Sequence, residues 1–328
     1  MIDLMKLEPT KISRNLRGKY MLFYGLPKVG KTTLLSKFPK SLILEFETGT
    51  NALNNAYVQP IQKWTDAKSV LRELRKDEVK EKFYTVCIDT ADVAWSLCEK
   101  YICQQNQVQN LGDIPWGKGY ALCKQEYEDF FREIAMLGYG VIFTSHSAEK
   151  NMKDEKGNDY ISLAPALPQR PYDIVNKMVD IIGYIRAIKN YDTGEQKTFL
   201  FLRGDDRFVA GSRFKYIEPR IEFSYEALSG AIYEAVDKQV QADGTGAATE
   251  EHNAFYQTSV ERPFDEVRKE ASELWDELVV KPESEEMAQK ISFIIERTFG
   301  KKMKLSDIVE SQKDLMEMVV AEMKELKK

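Results

Sequence analysis

"FYGLPKVGKTTLLSKF", residues 23–38, decides the fold. Residues 25–32 within it read G-L-P-K-V-G-K-T and fit G-x-x-x-x-G-K-[ST] at every constrained position. The preceding "KYMLFYG" is apolar and aromatic, so it predicts a short buried strand bounded by Gly25. The following "TTLLSKF" predicts the first turns of a helix that stops near Pro39. A loop between strand and helix turns successive backbone N–H groups inward, and the helix start adds partial positive charge. Such a loop holds a phosphate chain. Gly25 and Gly30 allow the backbone angles and close approach, and Lys28, Val29 and Thr33 complete the lining. Lys31 is expected on the β- and γ-phosphates and the Thr32 hydroxyl on Mg²⁺, so the expected ligands are ATP and Mg²⁺.

The composition of the 328-residue chain is that of a globular protein, 43% hydrophobic and 30% charged, long enough for about two domains. No run of 18 apolar residues is present, which argues against a membrane span. The first 20 residues lack the apolar stretch of a secretory signal. Cys87, Cys98, Cys103 and Cys123 form no C-x-x-C and only two histidines exist, so buried reduced thiols are expected rather than zinc. Charge is uneven. Residues 1–230 carry 33 basic and 30 acidic side chains, whereas residues 231–328 carry 14 and 22. A near-neutral to basic front half is compatible with a nucleic-acid face. The acidic tail is expected to be solvated helix, to bind a partner or to restrain the basic half.

Beyond the phosphate loop, "SLILEFE" (41–47), "YTVCIDT" (84–90) and "YGVIFTSH" (139–146) read as strands, separated by the helical stretches 65–83, 93–105 and 120–138. Thr65 or Asp66 is the expected N-cap of the first of these. "DIIGYIRAI" and "KTFLFLR" read as a β-hairpin after a short helix near 172–179. Residues 104–119 and 147–170 read as polar loops. Alternating strands and helices predict an α/β fold, a mostly parallel sheet with helices on both faces and a terminal hairpin at one side. The expected division is an ATPase core over 1–238, a Gly/Ala/Thr-rich linker over 239–254 and an acidic helical region over 255–328.

In an open parallel sheet, ligands sit at the carboxyl ends of the strands. Asp89 closes one apolar strand, the place for a carboxylate that orients water on Mg²⁺. Glu45 and Glu47 end another and alternate to the same side. Glu47, leading directly into Thr48-Gly49-Thr50, is the preferred base for the attacking water, the alternative being a solvated strand end. His146 closes a third strand, either as a partly buried histidine or as a sensor of the γ-phosphate.

This order of phosphate loop, Glu47, Asp89 and a polar residue at 146 before a long loop resembles the RecA-like P-loop ATPases. "LEFETGT" is similar to the element that carries the catalytic glutamate in recombinases of that group. "VIFTSH" is similar to the strand whose last residue, often Gln there and His146 here, couples nucleotide state to DNA. "LPKVGKTTLLSKFP" and "IPWGKGY" resemble phage-encoded RecA-like single-strand annealing ATPases. The resemblance covers about residues 15–225. It implies a homo-oligomeric ring or filament, ATP at the subunit interface, DNA-stimulated hydrolysis, and single-stranded DNA held by the two polar segments. Those segments carry Trp116 and Lys118, then Lys150, Lys153, Lys156, Tyr160 and Arg170. It also implies an arginine acting on the neighbour's nucleotide, with Arg207 and Arg213 as candidates against a surface ion pair to Asp205 or Asp206. The implied location is the cytoplasm, that of a bacterial host if the gene is phage-borne. The acidic tail would tune DNA affinity or bind a partner such as a single-strand-binding protein. A P-loop motor, or a nucleotide-dependent regulator or scaffold without annealing activity, is the competing expectation.

Overall fold

A computed structural model describes residues 5, 9, 11–153, 156–189, 194–244, 248–249, 262–279 and 284–327. The chain divides into two compact units, one over residues 10–257 and one built on residues 258–328.

The first unit runs β1 (Ile12–Ser13), β2 (Tyr20–Gly25), α1 (Lys31–Leu35), β3 (Ser41–Glu45), β4 (Tyr57–Pro60), α2 (Trp64–Leu74), α3 (Asp77–Lys82) and β5 (Thr85–Asp89). It continues with α4 (Ala91–Gln105), α5 (Lys118–Met136), β6 (Gly140–Lys153), β7 (Asp159–Pro165), α6 (Gln169–Met178), β8 (Ile181–Lys189) and β9 (Gln196–Phe201). β10 (Gly211–Ser212), β11 (Arg220–Glu222), α7 (Tyr225–Asp243) and β12 (Ala248–Thr249) complete it. The main sheet has the order β11-β9-β8-β2-β6-β5-β3-β4. β8, β2, β6, β5, β3 and β4 are parallel, and β9 and β11 add antiparallel strands beside β8. The expected α/β architecture is therefore present, and β6 lies between the phosphate-loop strand and the Asp89 strand.

Strand side chains alternate between two apolar layers. Leu22, Tyr24, Leu44, Val86, Ile88, Val141 and Phe143 face α2, α4, α5 and α6. Met21, Phe23, Ile43, Cys87 and Ile142 face the layer of α1 and α7. Burial on both faces explains why these strands read as unbroken apolar runs. Each such side chain contributes about 1.5–3 kcal/mol of transfer free energy. Aromatic edges lock the first layer, with Phe143 meeting Phe131 at 5.0 Å and Trp64 meeting Phe130 at 4.9 Å between ring centroids. All four cysteines are buried and free.

Four local expectations change. Residues 147–170 are not a loop. β6 continues past His146 to Lys153 and pairs antiparallel with β7 from Ser147↔Pro165 to Lys153↔Asp159. From Glu149 to Lys153 exposed and half-buried residues alternate, the period-two signature of a strand with one covered face. In residues 104–119, Leu111 and Ile114 are buried, two single 3₁₀ turns form, and Lys118 already starts α5. The first residue of α2 is Trp64, so Asp66 works from inside the first turn, accepting the Lys63 N–H at 2.9 Å. Finally, residue 239 does not begin a linker. α7 runs to Asp243, and Ala248–Thr249 pairs with β1, because the apolar face of α7 continues through Val236 and Val240 onto the core. Residues 245–247 and 250–254 of that expected linker lie outside the described residues.

The second unit consists, among the described residues, of α8 (Phe264–Val279), α9 (Ser284–Phe299) and α10 (Lys313–Leu326). Val267, Ala271, Leu274, Ile291, Ile295, Met316, Val319 and Met323 form a core of its own. No described helix is long and apolar enough to cross a membrane.

Candidate active site

The carboxyl ends of β2, β3 and β5 and the His146 position within β6 converge on the phosphate loop. Gly25 ends β2 against β8, where a Cβ would lie 2.6 Å from the Ile185 carbonyl oxygen. Gly30 holds φ 104°, and a Cβ there would meet the Phe223 ring at 2.9 Å, so only glycine fits both the angle and the space. Lys28 also adopts a positive φ of 65°. Lys31 is buried, and its Nζ donates to the carbonyl oxygens of Gly25 and Leu26, both at 3.0 Å. Burial pushes its ammonium pKa down, while Asp89, Asp92 and Glu47 oppose the shift. Thr33 is exposed and Val29 half-buried beside Lys31 and Gly30.

Asp89 is buried and fully engaged. Its Oδ2 accepts the Thr32 hydroxyl at 2.7 Å, and its Oδ1 accepts the Thr144 hydroxyl. Its carbonyl oxygen accepts the N–H groups of Phe46 at 2.7 Å and Glu47 at 3.1 Å, which clamps the end of β3 beside β5. A hydroxyl and a carboxylate in contact are the hard oxygen donors that suit Mg²⁺. The donor set therefore fits a Mg²⁺–nucleotide, with Thr32 and Asp89 as the residues that would hold the ion.

Glu45 and Glu47 have different work. Glu45 Oε1 accepts the Gly49 and Thr50 N–H groups at 3.0 Å and the Thr50 hydroxyl at 2.6 Å. Burial pushes its carboxyl up, but these three bonds outweigh it and leave the pKa lowered. Glu45 is thus committed to the turn at 48–50. Glu47 remains exposed, and among the described residues the Thr90 hydroxyl at 3.4 Å and His146 Nε2 at 3.5 Å lie beside its Oε2. His146 Nδ1 in turn faces Asp92 Oδ2 at 2.9 Å. Asp92 Oδ1 is buried without a hydrogen-bond partner among the described residues. Glu47, His146 and Asp92 form one chain of contacts at the mouth of the phosphate loop. Thr144 and Asp92 were missed by sequence reasoning. Thr144 stands two residues before His146 on β6, and Asp92 three after Asp89 in the first turn of α4, but only the fold brings each to its partner.

The two arginines separate. Arg207 is exposed, paired to Asp205 at 2.9 Å, and its carbonyl oxygen accepts the Leu163 N–H of β7. It therefore lies at the nucleotide end of the sheet. Arg213 lies at the opposite end, beside the start of β8, bonded to Asp180 Oδ1 at 3.1 Å and to the Lys177 carbonyl oxygen at 2.7 Å. Trp116 is 92% exposed, and the Arg170 guanidinium sits 4.4 Å from the centroid of the Tyr120 ring.

The AAA domain family profile matches residues 17–214, the span that holds the loop, Glu47, Asp89 and His146. Among curated proteins, the SPbeta prophage-derived uncharacterized protein YorG of Bacillus subtilis (strain 168) is 30% identical over 332 residues, covering 99% of this chain and 98% of that protein. Solved structures similar to part of the chain include the flagellar accessory protein FlaH of Methanocaldococcus jannaschii, at 11% identity and TM-score 0.33, covering 56% of this chain and 77% of that one. The KaiC-like protein PH0186 of Pyrococcus horikoshii OT3 is another, at 10% identity and TM-score 0.34, covering 57% and 79%. With the profile spanning more than half of the residues and including the phosphate loop, the chain belongs to the AAA domain family of P-loop ATPases.

Proposed function

We propose that the chain is an ATP-hydrolysing recombination protein of the phage type, which binds single-stranded DNA and promotes annealing or homologous pairing as a homo-oligomer. The observation that carries this is the chain of contacts from Glu47 through His146 into β6, which runs without a break into the hairpin β6–β7. In this reading Lys31 and the loop amides hold the triphosphate, and Glu47 takes the proton of the attacking water. Mg²⁺ on Thr32 and Asp89 would neutralise phosphate charge. His146, tied to Asp92, feels the state of the Glu47 carboxylate and biases the hairpin. Exposed Trp116, with the Arg170–Tyr120 stack, supplies the sequence-tolerant aromatic and cationic surface that single strands need. The prophage origin of the Bacillus relative also favours a phage role.

The test is a mobility shift of a labelled oligonucleotide with ATP, with ADP and without nucleotide, followed by annealing of complementary strands. An ATP-dependent shift and faster annealing are expected. Hydrolysis without any ATP-dependent shift would replace this reading with a motor or nucleotide-dependent scaffold.

A further inference from the structure

The pole at the amino ends of the parallel strands is a second, separate charged surface. Two grooves meet there and share Asp180 and Arg213. One, of about 260 Å³ between α5 and α6, is lined by Lys124, Arg132, Lys177 and Arg213 against Glu128 and Asp180. The other, of about 750 Å³, adds Lys11, Arg17, Lys19 and Lys215, with Phe214 in its wall. The pole thus gathers eight cations and two carboxylates, whereas residues 1–230 as a whole carry 33 and 30. The rest of that span is net negative, so the basic excess of the core sits here.

A solvated helix face does not account for this. The cations come from four separate segments and converge on concave walls. Asp180 is already engaged by the Tyr20 N–H at 3.2 Å and by Arg213 at 3.1 Å, and it also acts on Lys19. Lys124, Arg132 and Lys177 are exposed and make no ion pair among the described residues. Phe214 is half-buried beside Lys19, whose Nζ lies 5.4 Å from its ring centroid. The exposed Lys124, Arg132 and Lys177 of the first groove, with a half-buried ring in the wall of the adjoining one, are what a single-stranded backbone and its bases require. The surface is remote from the chemistry, because the length of β2, roughly 17 Å, separates Tyr20 from Gly25.

We propose that this pole binds the sugar–phosphate backbone of single-stranded nucleic acid, as a track distinct from the hairpin end. The occupant rests on the DNA role proposed above. The experiment measures binding of a labelled oligothymidylate to the full chain against salt concentration. It uses wild type, the triple variant K124E/R132E/K177E, its milder K124A/R132A/K177A counterpart, and Trp116→Ala. The triple reversal is expected to weaken binding by about tenfold or more and to flatten the log–log salt slope by about 2. Hydrolysis of ATP without DNA should stay at the wild-type rate, and the alanine variant should show the same trend with unchanged thermal unfolding. Wild-type affinity and salt slope in the triple variant would overturn the proposal. So would a loss of binding accompanied by a changed oligomeric size, which would make the pole a contact between copies. If Trp116→Ala binds normally while the triple variant does not, the pole stands and the hairpin-end surface falls. If wild type binds no oligonucleotide under any nucleotide, both fail.

Discussion

The two ends of one parallel sheet carry opposite chemistry. At the carboxyl ends, Glu47, Asp89 and Asp92 act on the buried amine of Lys31, and Glu45 holds the turn at 48–50. At the amino ends, eight cations face two carboxylates. The backbone has a part in this difference. Carboxyl ends open into loops that can close on a ligand, and the loop amides and Lys31 offset the carboxylates. Amino ends are fixed by short connections, such as the Asp180 N–H donating to the Tyr20 carbonyl oxygen at 2.7 Å, so their side chains serve the surface. The first end is where we propose nucleotide is bound and cleaved; the second is where we propose a charged partner is held.

The comparison breaks first at Lys31. Lys31→Ala should abolish nucleotide binding, read with a fluorescent ATP analogue, and with it all hydrolysis, while the fold survives. Wild-type turnover in this variant would mean that the loop is misassigned. Glu47→Gln should keep nucleotide affinity and lower kcat by about 10²–10⁴, the range for losing a general base. Glu45→Gln should act differently. It weakens the bonds that hold the turn at 48–50 and should lower thermal stability more than kcat. A reversed pattern would exchange their roles.

The arginines sharpen the contrast between ends. Arg207→Ala should bind ATP yet turn over about 10²–10³ more slowly, the typical loss for one donor to developing charge. Mixed with Lys31→Ala subunits it should regain hydrolysis, because some interfaces pair an intact loop with an intact arginine. Arg213→Ala, at the other end, should lose no turnover and need no such rescue. Complementation by Arg213→Ala instead would place the trans-acting group at the wrong pole for this account. The smallest effect is expected from truncation after residue 257, which removes a unit with its own core. ATP turnover should persist, with DNA affinity changed through the lost acidic residues. A truncated chain that cannot bind nucleotide would show that the helices are integral to the ATPase.

The loop, the Glu47 and Asp89 strand ends and the parallel core were legible because each rests on local pattern. A spaced motif, an apolar run and the polar residue that closes it all lie within a few positions. What stayed hidden depends on partners far apart in sequence. Thr144 matters because β6 lies next to β5, which puts its hydroxyl on Asp89. Asp92 matters because α4 brings it to His146, 54 residues away. Charge in "SAEKNMK" masked the alternation that extends β6, since a strand covered on one face can be polar on the other. The basic pole was invisible for the same reason. Its cations are scattered from Lys11 to Lys215, and only the fold collects them.

The central claim is that hydrolysis at the carboxyl ends answers to nucleic acid. The direct measurement is steady-state ATP turnover with and without single-stranded DNA, in wild type and in Glu47→Gln. The account predicts that DNA raises wild-type turnover and leaves Glu47→Gln near background in both conditions. Identical wild-type turnover with and without DNA, or full DNA-stimulated turnover in Glu47→Gln, would contradict it.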